Sequence, residues 1–270
     1  MHKQNLHTHT SFSDGADTPE EIIATAIEKN FDSVGFSEHS YMNYSAFFLK
    51  HGDKTQDYKK EILSLKEKYK NRIKIYLGLE VDMYSGPDMT GYDYLIGSMH
   101  YFKFQNEYVG FDRSQDEVAN VIDQYFGGDG MKYVKAYYEG IARLPEYGRF
   151  DIIGHFDLIT KHSDNCSFFD TSSKEYIKAA VEAAEALVGK IPLFEVNTGA
   201  VSRGYRKTPY PMKSIIKELK RLGFGAVITS DCHSKANLDC NFDEASALLK
   251  ECGFKEKYIL TDSGFTPVSL

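Results

Sequence analysis

The chain has 270 residues, 42% of them hydrophobic and 26% charged, and a formal net charge of -7. That composition is ordinary for a globular protein and long enough to bury a large core. The acidic balance weighs against a nucleic-acid surface, and with no apolar run of about 18 residues no membrane span is expected. No apolar leader precedes the first strand, and Cys166, Cys232, Cys240 and Cys252 form no Cys-x-x-Cys pair. A cytoplasmic chain with reduced thiols is therefore expected.

In chain order, residues 3–9 read as a first strand and lead into His7-Thr8-His9-Thr10-Ser11-Phe12-Ser13-Asp14-Gly15. Side chains alternate along a strand, so His7 and His9 point to one side and can reach one metal, with Asp14 in the turn that follows. A helix begins at Thr18-Pro19-Glu20-Glu21, where Thr18 caps, Pro19 takes the first helical position and Glu21 completes a capping box. Residues 32–37 form a second strand that ends at Glu38-His39, and residues 40–53 read as an aromatic loop. A charged helix covers roughly 55–70. A third strand, 73–79, ends at Glu80, and a fourth, 93–97, leads to His100.

Two helices fill 114–126 and 130–147, separated by Gly127-Gly128-Asp129-Gly130. A fifth strand, 150–154, ends at His155. After an alanine-rich helix at 173–188 comes a sixth strand, 192–196, followed by Asn197. Pro211 opens another helix. The seventh strand, 225–230, ends at Asp231-Cys232-His233, and a helix at 243–252 precedes a short strand near 258–260. Strands alternating with helices predict a parallel sheet with helices outside, and seven strands fit a barrel better than a small open sheet. One barrel domain over residues 1–270 is expected.

The predicted strand ends carry His7, His9, His39, Glu80, His100, His155, Asp231 and His233, which is six of the nine histidines. Active-site residues of such barrels come from the C-terminal ends of the strands, so closure would gather these around one mouth. Histidine with carboxylate suits zinc, manganese or iron rather than calcium. The set is too large for one ion and suits two or three, with Glu80 as the natural bridge. Paired ions clamp a phosphoryl group and acidify a bridging water, whose hydroxide becomes the nucleophile. Three divalent ions against Asp14, Glu80 and Asp231 leave a positive centre suited to a phosphate monoester, a small-molecule partner. Arg203, Arg206 and Lys207 follow the sixth strand, and Arg203, nearer the strand end, is the favoured phosphate grip. Asp231, His39 and His233 are all candidates to handle the leaving-group proton. Cys232 reads as a small residue facing the other way, Tyr41, Tyr101 and Phe102 as core, and His51 and His162 as surface residues. Nothing in the sequence fixes an oligomeric state.

These residues resemble the motifs of the polymerase and histidinol phosphatase family. The opening His-Thr-His-Thr with Ser-Asp-Gly, Glu38-His39, Gly78-Leu79-Glu80, Gly97-Ser98-Met99-His100, Gly154-His155 and Ser230-Asp231-Cys232-His233 occur in the family's order. More narrowly, Gly-Ser-Met-His-Tyr at 97–101, Gly-His-Phe-Asp-Leu-Ile at 154–159 and Glu-Val-Asn-Thr at 195–198 resemble its stand-alone histidinol-phosphate phosphatases. The resemblance implies a distorted, TIM-like (β/α)7 barrel with a trinuclear site. Carried over by position, His7, His9, Glu80 and Asp231 would hold the first ion. Glu80, His100 and His155 would hold the second, and Asp14, His39 and His233 the third. It implies hydrolysis of L-histidinol phosphate to histidinol and phosphate in histidine biosynthesis. The alternative is a nucleotide or another small phosphate monoester.

Overall fold

The computed structural model describes residues 2–45 and 53–270. His51 lies outside the described residues. In chain order the elements are β1 (Gln4–Asn5), α1 (Pro19–Glu28), β2 (Ser33–Phe36), α2 (Thr55–Tyr69), β3 (Lys74–Asp82), β4 (Tyr94–Ser98), β5 (Tyr101–Phe104) and β6 (Glu107–Gly110). Then come α3 (Gln115–Phe126), α4 (Gly130–Ala142), β7 (Ile152–Ile153), α5 (Lys174–Leu187), β8 (Leu193–Asn197), α6 (Gly199–Ser202) and α7 (Lys213–Arg221). The chain continues through β9 (Gly225–Thr229), α8 (Phe242–Glu251), β10 (Glu256–Thr261) and β11 (Gly264–Ser269).

Seven strands pair in the order β1-β2-β3-β4-β7-β8-β9, all parallel. The first and last meet where Thr8 bridges Cys232, with His9 N donating to Cys232 O at 3.0 Å. One bridge in place of a full ladder makes the closure partial, and the barrel is distorted. Among the described residues no helix is long and apolar enough to cross a membrane.

Local rules account for most boundaries. Thr18 and Glu21 form the expected capping box on α1, and Ser114 with Glu117 forms another on α3. Gly127 closes α3 in the left-handed conformation, and Asp129 caps α4. Several expectations need correction. The first strand, expected over 3–9, is only Gln4–Asn5, with Thr8 an isolated bridge; the fifth, expected over 150–154, is only Ile152–Ile153; and the helix expected from Pro211 starts at Lys213. The helix expected over 130–147 stops at Ala142 and gives way to a 3-10 turn at Leu144–Glu146, because Pro145 lacks the N–H that the helix would need. The third strand does not end at Glu80 but runs to Asp82, since β4 pairs with it as far as Asp82–Ser98. Two antiparallel hairpins were not foreseen: β5–β6 directly after His100, and β10–β11, of which only the first strand was expected.

Inward positions of the strands form a small core of their own: Leu6, Tyr76, Tyr94, Ile96, Ile152, Leu193 and Val227. The larger apolar layer lies between the outward positions and the helices. Beneath the barrel, Gln4 bonds both the N–H and the carbonyl of Leu260, which seats the β10–β11 hairpin across the bottom. The open end is therefore the C-terminal one.

Tyr94 fills the barrel's waist. Its hydroxyl donates to the carbonyl of Leu6, with Phe36 O 3.1 Å away. The ring fits because β2 and β3 carry Gly35 and Gly78 beside it. A Cβ on Gly78 would lie 2.2 Å from the ring. Gly78→Ala must displace a ring that is enclosed on all sides. It is expected to cost at least ~1–3 kcal/mol, the usual penalty for overpacking. A lowered denaturant midpoint at unchanged slope would show it, and an unchanged midpoint would refute it.

Candidate metal centre

The residues at the open end were separated by more than two hundred positions in sequence, and the barrel brings them within contact distance. His7 and His9 are fully buried, and their Nε2 atoms face each other at 3.1 Å. Their backbone is clamped on one side to Cys232 and on the other by Ser37 N donating to Thr8 O. Asp231, adjoining that clamp, has φ +45°, a left-handed conformation that aspartate tolerates better than most residues. Cys232 itself turns into the apolar layer, as expected, where burial pushes its thiol up to about 12.

Glu80 occupies the centre. One oxygen lies 2.9 Å from His155 Nε2 and 3.5 Å from His100 Nε2. The other lies 2.7 Å from His39 Nδ1, 3.5 Å from His7 Nε2 and 3.6 Å from His9 Nε2. At the rim, His233 Nε2 is 3.2 Å and His39 Nε2 3.6 Å from Asp14. Asp231 reaches His9 Nε2 at 3.2 Å and His7 Nε2 at 3.6 Å. All nine residues expected to bind metal thus meet at one mouth.

Three sets place a donor atom from each member within reach of a common point: His7 with His9 and Glu80; His39 with Glu80 and His100; and His9 with Asp14, His39 and His233. The third set adds His9 to the trio expected there. Whether these donors fit metal ions can be tested on their hydrogen bonds. The Nε2 atoms of His7 and His9 face each other at 3.1 Å beside Glu80 Oε2. His100 Nε2 faces His155 Nε2 at 3.2 Å. Buried polar atoms left this way are costly unless something else satisfies them, and a divalent cation between imidazole and carboxylate would.

The charges oppose one another across the cluster. Burial pulls the His7 ring down, but Glu195, Asp231 and Glu80 outweigh it and hold it well above the ordinary imidazole range. The same contest, won by Glu80 and Asp14, raises His39, and Glu80 raises His100. Burial followed by His39 and His233 takes His9 down to about 3, so it stays neutral, with the lone pair of one ring nitrogen to offer. Burial works against ionised Glu80 and Asp14, yet the facing imidazoles hold both well below the carboxylate range. Asp231 is held down chiefly by Arg203 and then His7.

A cleft of about 190 Å³ opens over these groups. Arg203 lines it, donating to Asp231 O at 2.9 Å and to Asp231 Oδ2 at 3.2 Å. Arg206 does not reach the mouth. It is buried, bonded to Thr160 Oγ1 at 2.6 Å and 3.8 Å from Asp157, tying the loop after β8 to the turn after β7. Lys207 is exposed, with its backbone N–H on Asp164. His162 is not a surface residue. It lies in the turn after β7 and is buried, with Nε2 3.1 Å from Arg113 O in the segment between β6 and α3. Tyr101 and Phe102 are core, as expected, and Tyr41 packs half-buried beside Tyr101.

Four further polar residues escaped notice in the sequence. Lys161 and Asp112 line the cleft and pair at 3.2 Å, with the ammonium 4.7 Å over the Tyr205 ring. No local signal marks either, because a turn and a hairpin carry them there. Asp82 accepts from His100 N at 2.9 Å, and Glu195 lies beneath His7. Each of these two had a signal: a carboxylate at an inward position of an otherwise apolar strand.

A family model for the PHP domain matches residues 5–199. A Schizosaccharomyces pombe protein named "Probable histidinol-phosphatase" is 28% identical over 265 residues, covering 87% of this chain and 81% of its own length. A histidinol-phosphatase of Lactococcus lactis is 25% identical over 95% of this chain and 93% of its own. Among solved structures, the histidinol phosphate phosphatase of Lactococcus lactis, complexed with zinc, L-histidinol and phosphate, superposes with a TM-score of 0.73 over 98% of both chains at 20% identity. That likeness bears on the fold, a distorted barrel of seven parallel strands.

Proposed function

This chain belongs to the PHP domain family, and from that premise we propose that it is a metal-dependent phosphomonoesterase hydrolysing L-histidinol phosphate to L-histidinol and phosphate. The observation that carries the reading is Glu80, whose two oxygens each face imidazoles from different strands at the floor of a small cleft. Curated relatives named histidinol-phosphatase, aligned over most of this chain, supply the substrate. A cytoplasmic site of action fits the four free cysteines.

In this reading, His7, His9, Glu80 and Asp231 would hold one ion, Glu80, His100 and His155 a second, and Asp14, His39 and His233 a third. Zinc, manganese and iron all suit the donors. When bound, such ions supply Lewis acidity, polarising the phosphoryl group and making a water nucleophilic near neutral pH. The chain's own residues do the rest. Arg203 spans the cleft wall and offers its guanidinium N–H groups to phosphoryl oxygens. Lys161 adds a second positive charge at the same wall. Asp112, held ionised by Lys161 and His100 against the pull of burial, offers a carboxylate to the protonated amine of the substrate. Arg203 contacts both Asp231 and His233 Nδ1 at 2.9 Å, and these two are the candidates to pass a proton from the attacking water to the leaving alkoxide.

The test is phosphate release by metal-replete protein from L-histidinol phosphate, with mononucleotide monoesters in parallel. The expected kcat/KM for histidinol phosphate exceeds that for the nucleotides by at least about 100-fold, since the Asp112 carboxylate would be left unpaired by a substrate that brings no amine to it. Equal or faster release from a nucleotide would move the assignment to that substrate.

A further inference from the structure

Glu195 is a fully buried carboxylate to which the chemistry above gives no role. Its four neighbours share one property. Thr229 Oγ1 donates to Oε2 at 2.7 Å. His155 N donates to Oε1 at 2.6 Å and Asn197 Nδ2 to the same oxygen at 2.8 Å. The Asn197 amide cannot be turned round, because its Oδ1 accepts from Gly199 N at 2.8 Å. The fourth neighbour is His7 Nδ1, 2.8 Å from Oε2. An ionised carboxylate only accepts, so His7 carries its proton on Nδ1. Its Nε2, the nitrogen left for a metal once any second proton is displaced, faces Glu80 and Asp231 at 3.5 and 3.6 Å.

We propose that Glu195 is the positioning residue of the metal centre: it fixes the tautomer of His7 and, through the His155 backbone, the placement of a ligand to a second ion. This rests on the metal reading above. The arrangement is the carboxylate–histidine pairing that orients an imidazole toward a metal. Here a single carboxylate serves two ligands from different strands, His7 after β1 and His155 after β7. Asp82 stands to His100 in a looser version, 3.4 Å from Nδ1.

Glu195→Gln keeps the shape and removes the acceptor-only character. Its NH2 must meet either His7 Nδ1–H or the pair of donors at His155 N and Asn197. In the first case the His7 proton moves to Nε2 and the ligand lone pair is lost. The experiment measures metal dissociation constants by competition with a chromophoric chelator, using zinc and then manganese, on wild type and E195Q. It also records the thermal midpoint of both metal-free proteins and kcat at saturating metal. The expected result is metal binding weaker by about 10–100-fold, cooperative unfolding retained without metal, and kcat rising as metal is added in excess. E195Q that binds as tightly as wild type overturns the inference and leaves the metal site standing. A wild type that takes up no ion overturns both. If E195Q does not fold, Thr229→Val removes one donor to the same oxygen, and a smaller loss of affinity in the same direction is expected. Unchanged affinity in T229V would then overturn the inference.

Discussion

Glu80→Gln is expected to lose nearly all turnover while the barrel stays folded. Among the described residues, Glu80 is the carboxylate whose oxygens reach imidazoles of both inner donor sets, His7 and His9 on one side and His100 and His155 on the other. An amide keeps one oxygen, so it can serve one set but presents NH2 to the other. The loss should exceed the ~10²–10³-fold that one missing donor at a developing oxyanion costs, because ion placement fails together with charge stabilisation. The fold survives because Glu80 contributes nothing to the apolar layers; the packing there belongs to Leu79 and Val81, its outward neighbours. Metal content by elemental analysis should fall, and the circular dichroism spectrum should not change. Turnover equal to wild type would remove Glu80 from the site.

Exhaustive chelation is expected to abolish phosphate release, with recovery on adding back zinc, manganese or iron separately. The pH dependence of that recovery follows from the charges. In the metal-free cluster, His7, His39 and His100 bind protons more tightly than a free imidazole. An ion must displace those protons, so its affinity rises with pH. The stability of the metal-free protein moves the other way. A group whose pKa is raised on folding stabilises fully below its unfolded value, about 6.5 for histidine, and that contribution is lost as pH rises through the folded pKa. The two effects come from the same protons, and the midpoint shift on binding follows the affinity. The upward shift in thermal midpoint on adding zinc should be small at pH 6 and grow steadily toward pH 8.5. A shift that shrinks over that range would mean the rings are not protonated when the metal is absent. The depressed carboxylates Glu80, Asp14 and Asp231 act at the acid end, where their contribution is lost as pH falls through their folded pKa values.

Much of this was legible from residue order. Although β1 ends at Asn5, Thr8 is bridged to Cys232 and the expected two-residue spacing still sets His7 and His9 on one side, buried and facing each other. The capping box at Thr18 and the glycine break at 127–130 fixed helix ends because capping is local chemistry. The β5–β6 hairpin had a signal that went unread: Phe102-Lys103-Phe104 alternates across Gln105-Asn106 into Glu107-Tyr108-Val109, and Gln105 takes φ +53° in the turn. Following so soon on His100, that alternation was masked by the strand before it. Pro145 likewise announced the early end of α4.

What the sequence determined by itself is the list of donors and the kind of element that carries each, since alternation, capping and strand-end position depend on near neighbours along the chain. Tertiary structure decided which donors face which. Barrel closure set Glu80 between two histidine sets, left Arg203 on the cleft wall and drew Arg206 inward to Asp157. It carried Lys161 and Asp112 into the cleft and aimed Glu195 at His7. Those are contacts between residues tens to hundreds of positions apart. Their energies come from burial and from charges that meet only after the strands have closed, and no local pattern encodes that meeting.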